Sequence, residues 1–508
     1  TLVAAVGQLS RSIRGKVGES LKGLQGARAL ERVSTPSLTA LRKYVEGAQL
    51  EENGGDRTRV LQLLNESVAI DSTFAMAWRK IAVMYSLLPN ARTELMAAIS
   101  KAYALRDRLS DNERDLTDAF YFTNGPAPDL AKAAVAYEQL LARDSLNSTA
   151  LNNLAGLYNR QRERTKALEL WERAARLDRP PAVVFFNIAQ MAALLRREQL
   201  ADSNLAQFVT RFPNSRTIWE LQVFRLIAGN RWDSVGAVTA RVMDTAQAPR
   251  QLDMSINMLV DYEMGRGRIT AALAASDRGA RRLRELTNSP TRLMTHVTRT
   301  ALASALFDGD WAQTQVALRR LLTSPEFTAV PAPERTWTNA SVAAALAGDA
   351  ADASKIAAAY RRDVSPYSLV RQWEDLRVNA HVAMASGRFQ EAVQLLKRAA
   401  PLRTAPGMEE RFLLATSFDR LGVRDSAIAW FKTVVDPQAI NEPVARWLVP
   451  AAHKRLAELL DDKGVIAGAI EHYDAFATLW KDAEPSRQPI VTAARDRAAQ
   501  LRAKKDPG

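Results

Sequence analysis

Asn153 and Asn187 stand 34 residues apart, and Asn257 and Asn339 hold the same place in later stretches of similar pattern. A side-chain amide both donates and accepts hydrogen bonds, so a ladder of such amides suits an extended peptide backbone of any sequence. The four histidines offer less. His296, His381, His453 and His472 are scattered, and none has the i, i+4 partner and the Glu of a metalloprotease helix. The stretch RGKVGES (14–20) puts Val17 after Lys16 and Ser10 five positions before Gly15, so it is not a phosphate loop. GRGRIT (265–270) has two glycines in a helical turn context with no strand after it, which argues against a dinucleotide site. No G-x-S-x-G, H-R-D or D-F-G is present. There are no cysteines, which excludes disulfides, thiolate catalysis and Cys-based zinc sites. The residues point away from catalysis and toward binding, with no cofactor and no metal expected.

Those amides need elements that present them. In LNNLAGLYNRQRERTKALELWERAARLD (151–178), Leu151, Leu154 and Tyr158 fall at i, i+3, i+7, and Ala167, Leu170, Trp171 and Ala174 follow the same rule after a polar break. That predicts two amphipathic helices joined by a short turn. The pattern repeats. Ala133, Tyr137 and Asp144 lie one 34-residue period before Ala167, Trp171 and Asp178, while Ile188, Ala189 and Ala201 lie one period after Leu154, Ala155 and Ala167. The small residues Ala155, Ala167 and Ala174 stand where a lone hairpin would gain more from Leu. They make sense only if hairpins stack, with close crossings that a larger side chain would overpack.

Composition agrees with an all-α chain of several repeats or domains. Of 508 residues, 47% are hydrophobic and 25% charged, β-branched alternation is scarce, and no run of 18 apolar residues exists to span a membrane as a helix. The formal net charge is +13. Part of it lies in the arginines of 266–300, which lack interleaved aromatics and ride on an Ala/Leu helical pattern. A solvated helix is the favoured reading there and nucleic acid is disfavoured as a partner, with a basic surface for nucleic acid or anionic lipid kept as an alternative.

A 34-residue helix–turn–helix of this kind resembles the tetratricopeptide repeat (TPR). Trp78, Ile81, Ala82 and Tyr85 match its first helix, A. Its turn and second helix, B, recur with Gly387, Phe389, Ala392, Leu396 and Ala399, with Gly422, Ala427 and Phe431, and with Gly464, Ala469 and Tyr473. The resemblance implies a TPR-like α-solenoid, a right-handed superhelix of about ten or eleven repeats. Stacked A helices then line a concave surface. The residues placed there are Arg79 and Lys80, Asn152, Asn153 and Asn159, Asn187 and Gln190, Asn257, Asn339, and Arg377 with His381. Of these, Arg79, Lys80, Asn153, Asn187, Gln190 and Asn257 are the expected peptide-binding set. The Lys/Arg/Asn carboxylate clamp of chaperone-binding members is incomplete here. Trp78, Tyr85, Tyr158 and Trp171 are assigned to the core.

The expected organisation is an N-terminal amphipathic helix and linker (1–34), TPR subarrays over 35–285 and 286–484 with a bend near 285–335, and a capping helix and tail (485–508). Thr35 is expected to cap the first array helix, with Pro36 at its first position. LSRSIRGKVGESL, VSTPSLTALRKYVEGAQ and ESVAIDSTFAMAWRKIAVMY are similar to the C-terminal half of bacterial signalling proteins in which a serine/threonine kinase, or sometimes a cyclase or transcription-factor domain, precedes a linker and TPRs. That resemblance implies a non-catalytic scaffold or sensor region with a protein or peptide ligand. It also implies a membrane-tethered parent chain with its catalytic domain upstream of Thr1, and an extracytoplasmic location. A structural subunit of a larger, membrane-associated assembly is the competing reading.

Overall fold

The computed structural model describes residues 35–52, 57–87, 91–161, 163–215, 217–247, 249–287, 301–303, 305–307, 311–329, 335, 337–364, 371–400, 407–436 and 447–505. The expected N-terminal helix, the RGKVGES stretch and the centre of the expected junction, with His296, lie outside them. Among the described residues there are 25 α-helices and no β-strand. They group into two compact units, divided between Pro181 and Ala182.

The described residues of the first unit form four hairpins: α1 (Leu38–Glu52) with α2 (Arg57–Ile70), α3 (Ala75–Ser86) with α4 (Arg92–Ala104), α5 (Asp111–Asn124) with α6 (Leu130–Arg143), and α7 (Ser148–Arg160) with α8 (Arg164–Ala175). Side-chain caps start several of these helices. Ser110, Asp129 and Asn147 accept from the third backbone N–H of α5, α6 and α7 and satisfy donors that a helix start leaves open. The first helix begins two residues later than expected. Ser37 Oγ takes the Ala40 N–H at 3.3 Å and serves as its cap, so Pro36 lies before the helix. Thr35 Oγ1 instead accepts from the Ser37 N–H and donates to Asp71 at 2.6 Å, tying the entry to the end of α2.

Among the described residues the second unit holds seven complete hairpins: α9 (Ala182–Leu194) with α10 (Glu198–Arg211), α11 (Ile218–Ala228) with α12 (Trp232–Thr245), α13 (Pro249–Gly265) with α14 (Ile269–Thr287), α17 (Trp337–Leu346) with α18 (Ala350–Asp363), α19 (Arg371–Ala385) with α20 (Phe389–Ala399), α21 (Met408–Arg420) with α22 (Arg424–Val435), and α23 (Leu448–Asp462) with α24 (Ile466–Leu479). Between the third and fourth stand α15 (Trp311–Leu322) and the short α16 (Pro325–Ala329), and α25 (Gln488–Lys505) packs on α24.

One device turns the chain inside each of the seven hairpins. Residues 196, 230, 267, 348, 387, 422 and 464 have positive φ. The N–H that follows each reaches back to the carbonyl five residues earlier, for example Val423 to Phe418 at 3.0 Å and Val465 to Leu460 at 2.8 Å. This is a Schellman-type ending of helix A. Five residues beyond the left-handed position comes a small buried residue on helix B: Ala201, Ala272, Ala353, Ala392, Ala427 and Ala469 are at most 2% exposed, with Val235 in the one remaining case. Ala167 and Ala174 are likewise fully buried in the first unit. The alanines sit at the helix crossings, as their spacing predicts.

The second unit also meets itself. After α13, Gly267 packs against Trp480 and Ala483 at the end of α24. Its carbonyl accepts from the Glu484 N–H at 3.3 Å, and the Glu484 carboxylate accepts from the Thr270 N–H, 3.1 Å away, at the start of α14. That carboxylate meets an open donor and the positive end of a helix 214 residues distant in sequence. Arg266 is held between Asp233 and Asp482, and Phe307 packs against the fully buried Trp480 with ring centroids 4.0 Å apart and the rings tilted by 44°.

Candidate protein-binding face

The helical periodicity that buries Leu151, Leu154 and Leu157 leaves the Asn152 and Asn153 side of α7 half-buried and Asn159 exposed. The amides form a short relay. Asn152 Nδ2 donates to Asn153 Oδ1 at 3.1 Å, and Asn153 Nδ2 donates to the Tyr137 hydroxyl at 3.2 Å. Tyr137 is 3% exposed, and burial pushes its pKa up against the opposing hydrogen bond from Asn153. Asn153 is therefore fixed by a core tyrosine of the preceding hairpin.

Arg79 and Lys80, on α3, are both engaged by carboxylates: Arg79 pairs with Glu113 of α5, and Lys80 with Glu51 of α1. A partner carboxylate aimed at either would compete with a resident one. Trp171 is core, at 3% exposed, but Trp78, Tyr85 and Tyr158 are only half-buried. The Tyr158 hydroxyl donates to Glu138 at 2.6 Å, and stabilisation of the neutral phenol beside that carboxylate raises its pKa to about 12.

In the second unit, Asn187 is half-buried and Gln190 exposed on α9, one turn apart. Asn257, on α13, uses its amide locally, donating to the Asp253 carbonyl at 2.8 Å. Arg377 and His381 are not on an open face. Arg377 is 6% exposed, pairs with Glu410 at 2.8 Å and with Glu409, and lies over the Trp373 ring. His381 is fully buried, with Nδ1 2.7 Å from Ser341 Oγ. Their face of α19 packs against both α17 and α21 territory, so it is filled before any ligand arrives. Asn339, on α17, is half-buried.

The basic stretch is divided. Arg278 lies 3.5 Å from Asp244, and Arg282 donates to the Ala246 carbonyl at 2.7 Å, both bracing α14 on α12. Arg281 and Arg284 remain exposed beside Asp277 and Glu285. Sequence reasoning missed a buried histidine pair. His453 Nδ1 and His472 Nδ1 are 3.2 Å apart between α23 and α24. Burial lowers both pKa values, that of His453 to about 3 with help from its neighbour. The available signal was that each lies on the apolar stripe of its helix. Among the described residues, no group of three or more His, Cys, Asp and Glu is placed to hold a metal ion.

No family model matches the chain, and no curated protein matches it in sequence. Among solved structures it is similar to the APC/C hetero-tetramer Cut9–Hcn1, at 12% identity over 97% of this chain and 84% of that one, with a TM-score of 0.43. It is also similar to a tetratricopeptide repeat protein from Parabacteroides merdae (11% identity, 57% of this chain and 94% of that one, TM-score 0.32) and to yeast Tom70 (12%, 92% and 97%, TM-score 0.30). The hairpins themselves, with their shared turn and buried alanine, carry the conclusion that this chain is an all-α, TPR-like solenoid.

Proposed function

We propose that the chain is a non-catalytic interaction module that holds a peptide or protein partner against its A helices. The carrying observation is the arrangement of α7, where the apolar stripe is consumed in stacking and leaves a fixed amide, Asn153, and the exposed Asn159 outside it. In the second unit, Asn187 and Gln190 on α9 and Asn257 on α13 carry the same side-chain chemistry. Arg79 and Lys80 flank it and are engaged only by exchanging Glu113 and Glu51 for partner carboxylates. In this reading the chain is the scaffold or sensor region of a bacterial signalling protein, with a kinase-like domain and a membrane helix encoded upstream of Thr1. The support for that context is the sequence resemblance of its N-terminal 180 or so residues alone.

The test is site-specific photo-crosslinking from Gln190, followed by calorimetry with the captured partner. Replacing Asn153 and Asn187 together by Ala is expected to weaken binding by about 1–3 kcal/mol. Because Asn153 also satisfies Tyr137, the control is Tyr137→Phe, which breaks the relay and keeps the amide. Equal affinity for the double variant and the parent protein would move the partner to another surface.

A further inference from the structure

Where the second unit closes on itself it leaves a cavity of about 320 Å³. Trp232 and Tyr262 line one side, and Val449, Pro450 and Leu479 the other. The walls are thus mainly hydrocarbon and aromatic, and the volume is of the size that small-molecule sites have.

The charges in the lining differ in how far they are committed. Asp233 accepts from the Tyr262 hydroxyl at 2.9 Å and pairs with Arg266. Asp261 is withdrawn into the wall, 4% exposed. Arg266 is shared between Asp233 and Asp482, and Lys481 lies 3.9 Å from Asp482. Arg196 also lines the cavity, and no described carboxylate pairs with it.

Arg196 is unusual for a second reason. Its φ is +54°, at the turn position that five of the seven hairpins give to glycine and one to asparagine. A long side chain in left-handed backbone is strained, whereas glycine or asparagine is at ease there. A strained residue in the lining of a cavity, carrying an exposed cation that no described carboxylate pairs with, is the kind of outlier that marks a binding site.

We propose that this cavity binds a small apolar carboxylate, an aryl- or alkyl-alkanoate of metabolite size. Its hydrocarbon part lies among Trp232, Tyr262, Pro450 and Leu479, and its carboxylate is taken by the Arg196 guanidinium in a charge-assisted, two-point hydrogen bond. The two walls come from hairpins far apart in sequence that the closure brings together, so an occupied cavity holds that closure shut. This proposal does not rest on the asparagine face, and crosslinking at Gln190 can succeed or fail independently of it.

The experiment uses the whole chain and three probes of one shape: 3-phenylpropanoate, its neutral amide, and 3-phenylpropylamine. Binding is read by saturation-transfer NMR and calorimetry. The acid is expected to bind at least about tenfold more tightly than the amide, the amine least of all, with probe concentrations up to about 5 mM. The variant is Arg196→Asn, which removes the cation and leaves a residue that left-handed backbone tolerates. It should bring acid and amide to within about twofold of each other while the circular dichroism and melting curve stay those of a folded protein. No binding by any probe, equal binding of acid and amide to the parent protein, or unchanged discrimination in Arg196→Asn would each overturn the proposal.

Discussion

Arg455 grips Asp419 through two parallel hydrogen bonds, Nε to Oδ2 at 2.7 Å and Nη2 to Oδ1 at 2.9 Å, and Arg497 repeats the same grip on Asp461 at 2.6 and 2.9 Å. In each case the aspartate is near the end of one A helix and the arginine is on the next element to stack on it. The fork geometry sets register between neighbouring hairpins as well as adding charge attraction.

Arg455→Lys is therefore expected to keep the charge and lose the register. Because Arg455 is 40% exposed, solvent screens much of the pair, and the loss should be about 0.5–1 kcal/mol. Urea unfolding of Arg455→Lys and Asp419→Asn reads it, and the two changes together should cost less than their sum if the pair is coupled.

Ala392 and Ala427 are fully buried at crossings between the helices of their hairpins. Ala392→Leu should destabilise by about 1–3 kcal/mol through overpacking, although Leu is more hydrophobic. Chemical denaturation decides it, and a stability equal to that of the parent would mean that the crossing has room the alanine does not require.

Two glycines separate backbone strain from packing. Gly422 and Gly267 have nearly the same φ, +73° and +72°, but nothing lies within 4 Å of a Cβ placed on Gly422, whereas one on Gly267 would be 2.7 Å from Trp480 Cδ2. Gly422→Ala should cost about 1–2 kcal/mol from backbone strain alone. Gly267→Ala should cost more, because it also pushes on the closure. Differential scanning calorimetry of the two variants measures the difference directly.

Three buried histidines give the fold an acid limit. Burial holds His381, His453 and His472 below their ordinary pKa, with the Arg377 charge acting on His381, and Lys432 opposing Glu471 at His472. The unfolded chain binds protons near the ordinary value and the folded chain does not, so stability is complete above about pH 6.5 and falls as the pH drops below it. Each histidine contributes a slope of up to about 1.4 kcal/mol per pH unit, continuing for His453 toward its folded pKa of about 3. Urea midpoints at pH 7.5 and 5.0 give the slope, and His453→Gln should flatten it.

The repeat was legible because it is local. Gly387, Gly422 and Gly464 mark left-handed turns, and Ala392, Ala427 and Ala469 five residues later mark the crossings, so period and residue type agree at each hairpin. The binding face was less so. His381 and Arg377 satisfy the spacing of a groove position, yet α19 is covered on that side, since periodicity gives the direction of a side chain along its own helix and not what stands opposite. Asn153 was readable as an A-helix amide, but its bond to Tyr137 depends on the approach of the preceding hairpin. The Thr270–Glu484 contact has no signature at a repeat period, because a stacking pattern encodes neighbours only.

That contact changes how the second unit bears load. A chain of stacked hairpins pulled from its C-terminus peels one hairpin at a time, each at low force. Here the peel stops where Glu484 and Trp480 are seated on Thr270 and Gly267, and the hairpins between them are shielded until that junction shears. Once it shears, they yield in sequence with nothing further to hold them. The closure is thus expected to act as a mechanical fuse, and single-molecule pulling should show one rupture at the capped helix start and buried indole before a long, soft extension.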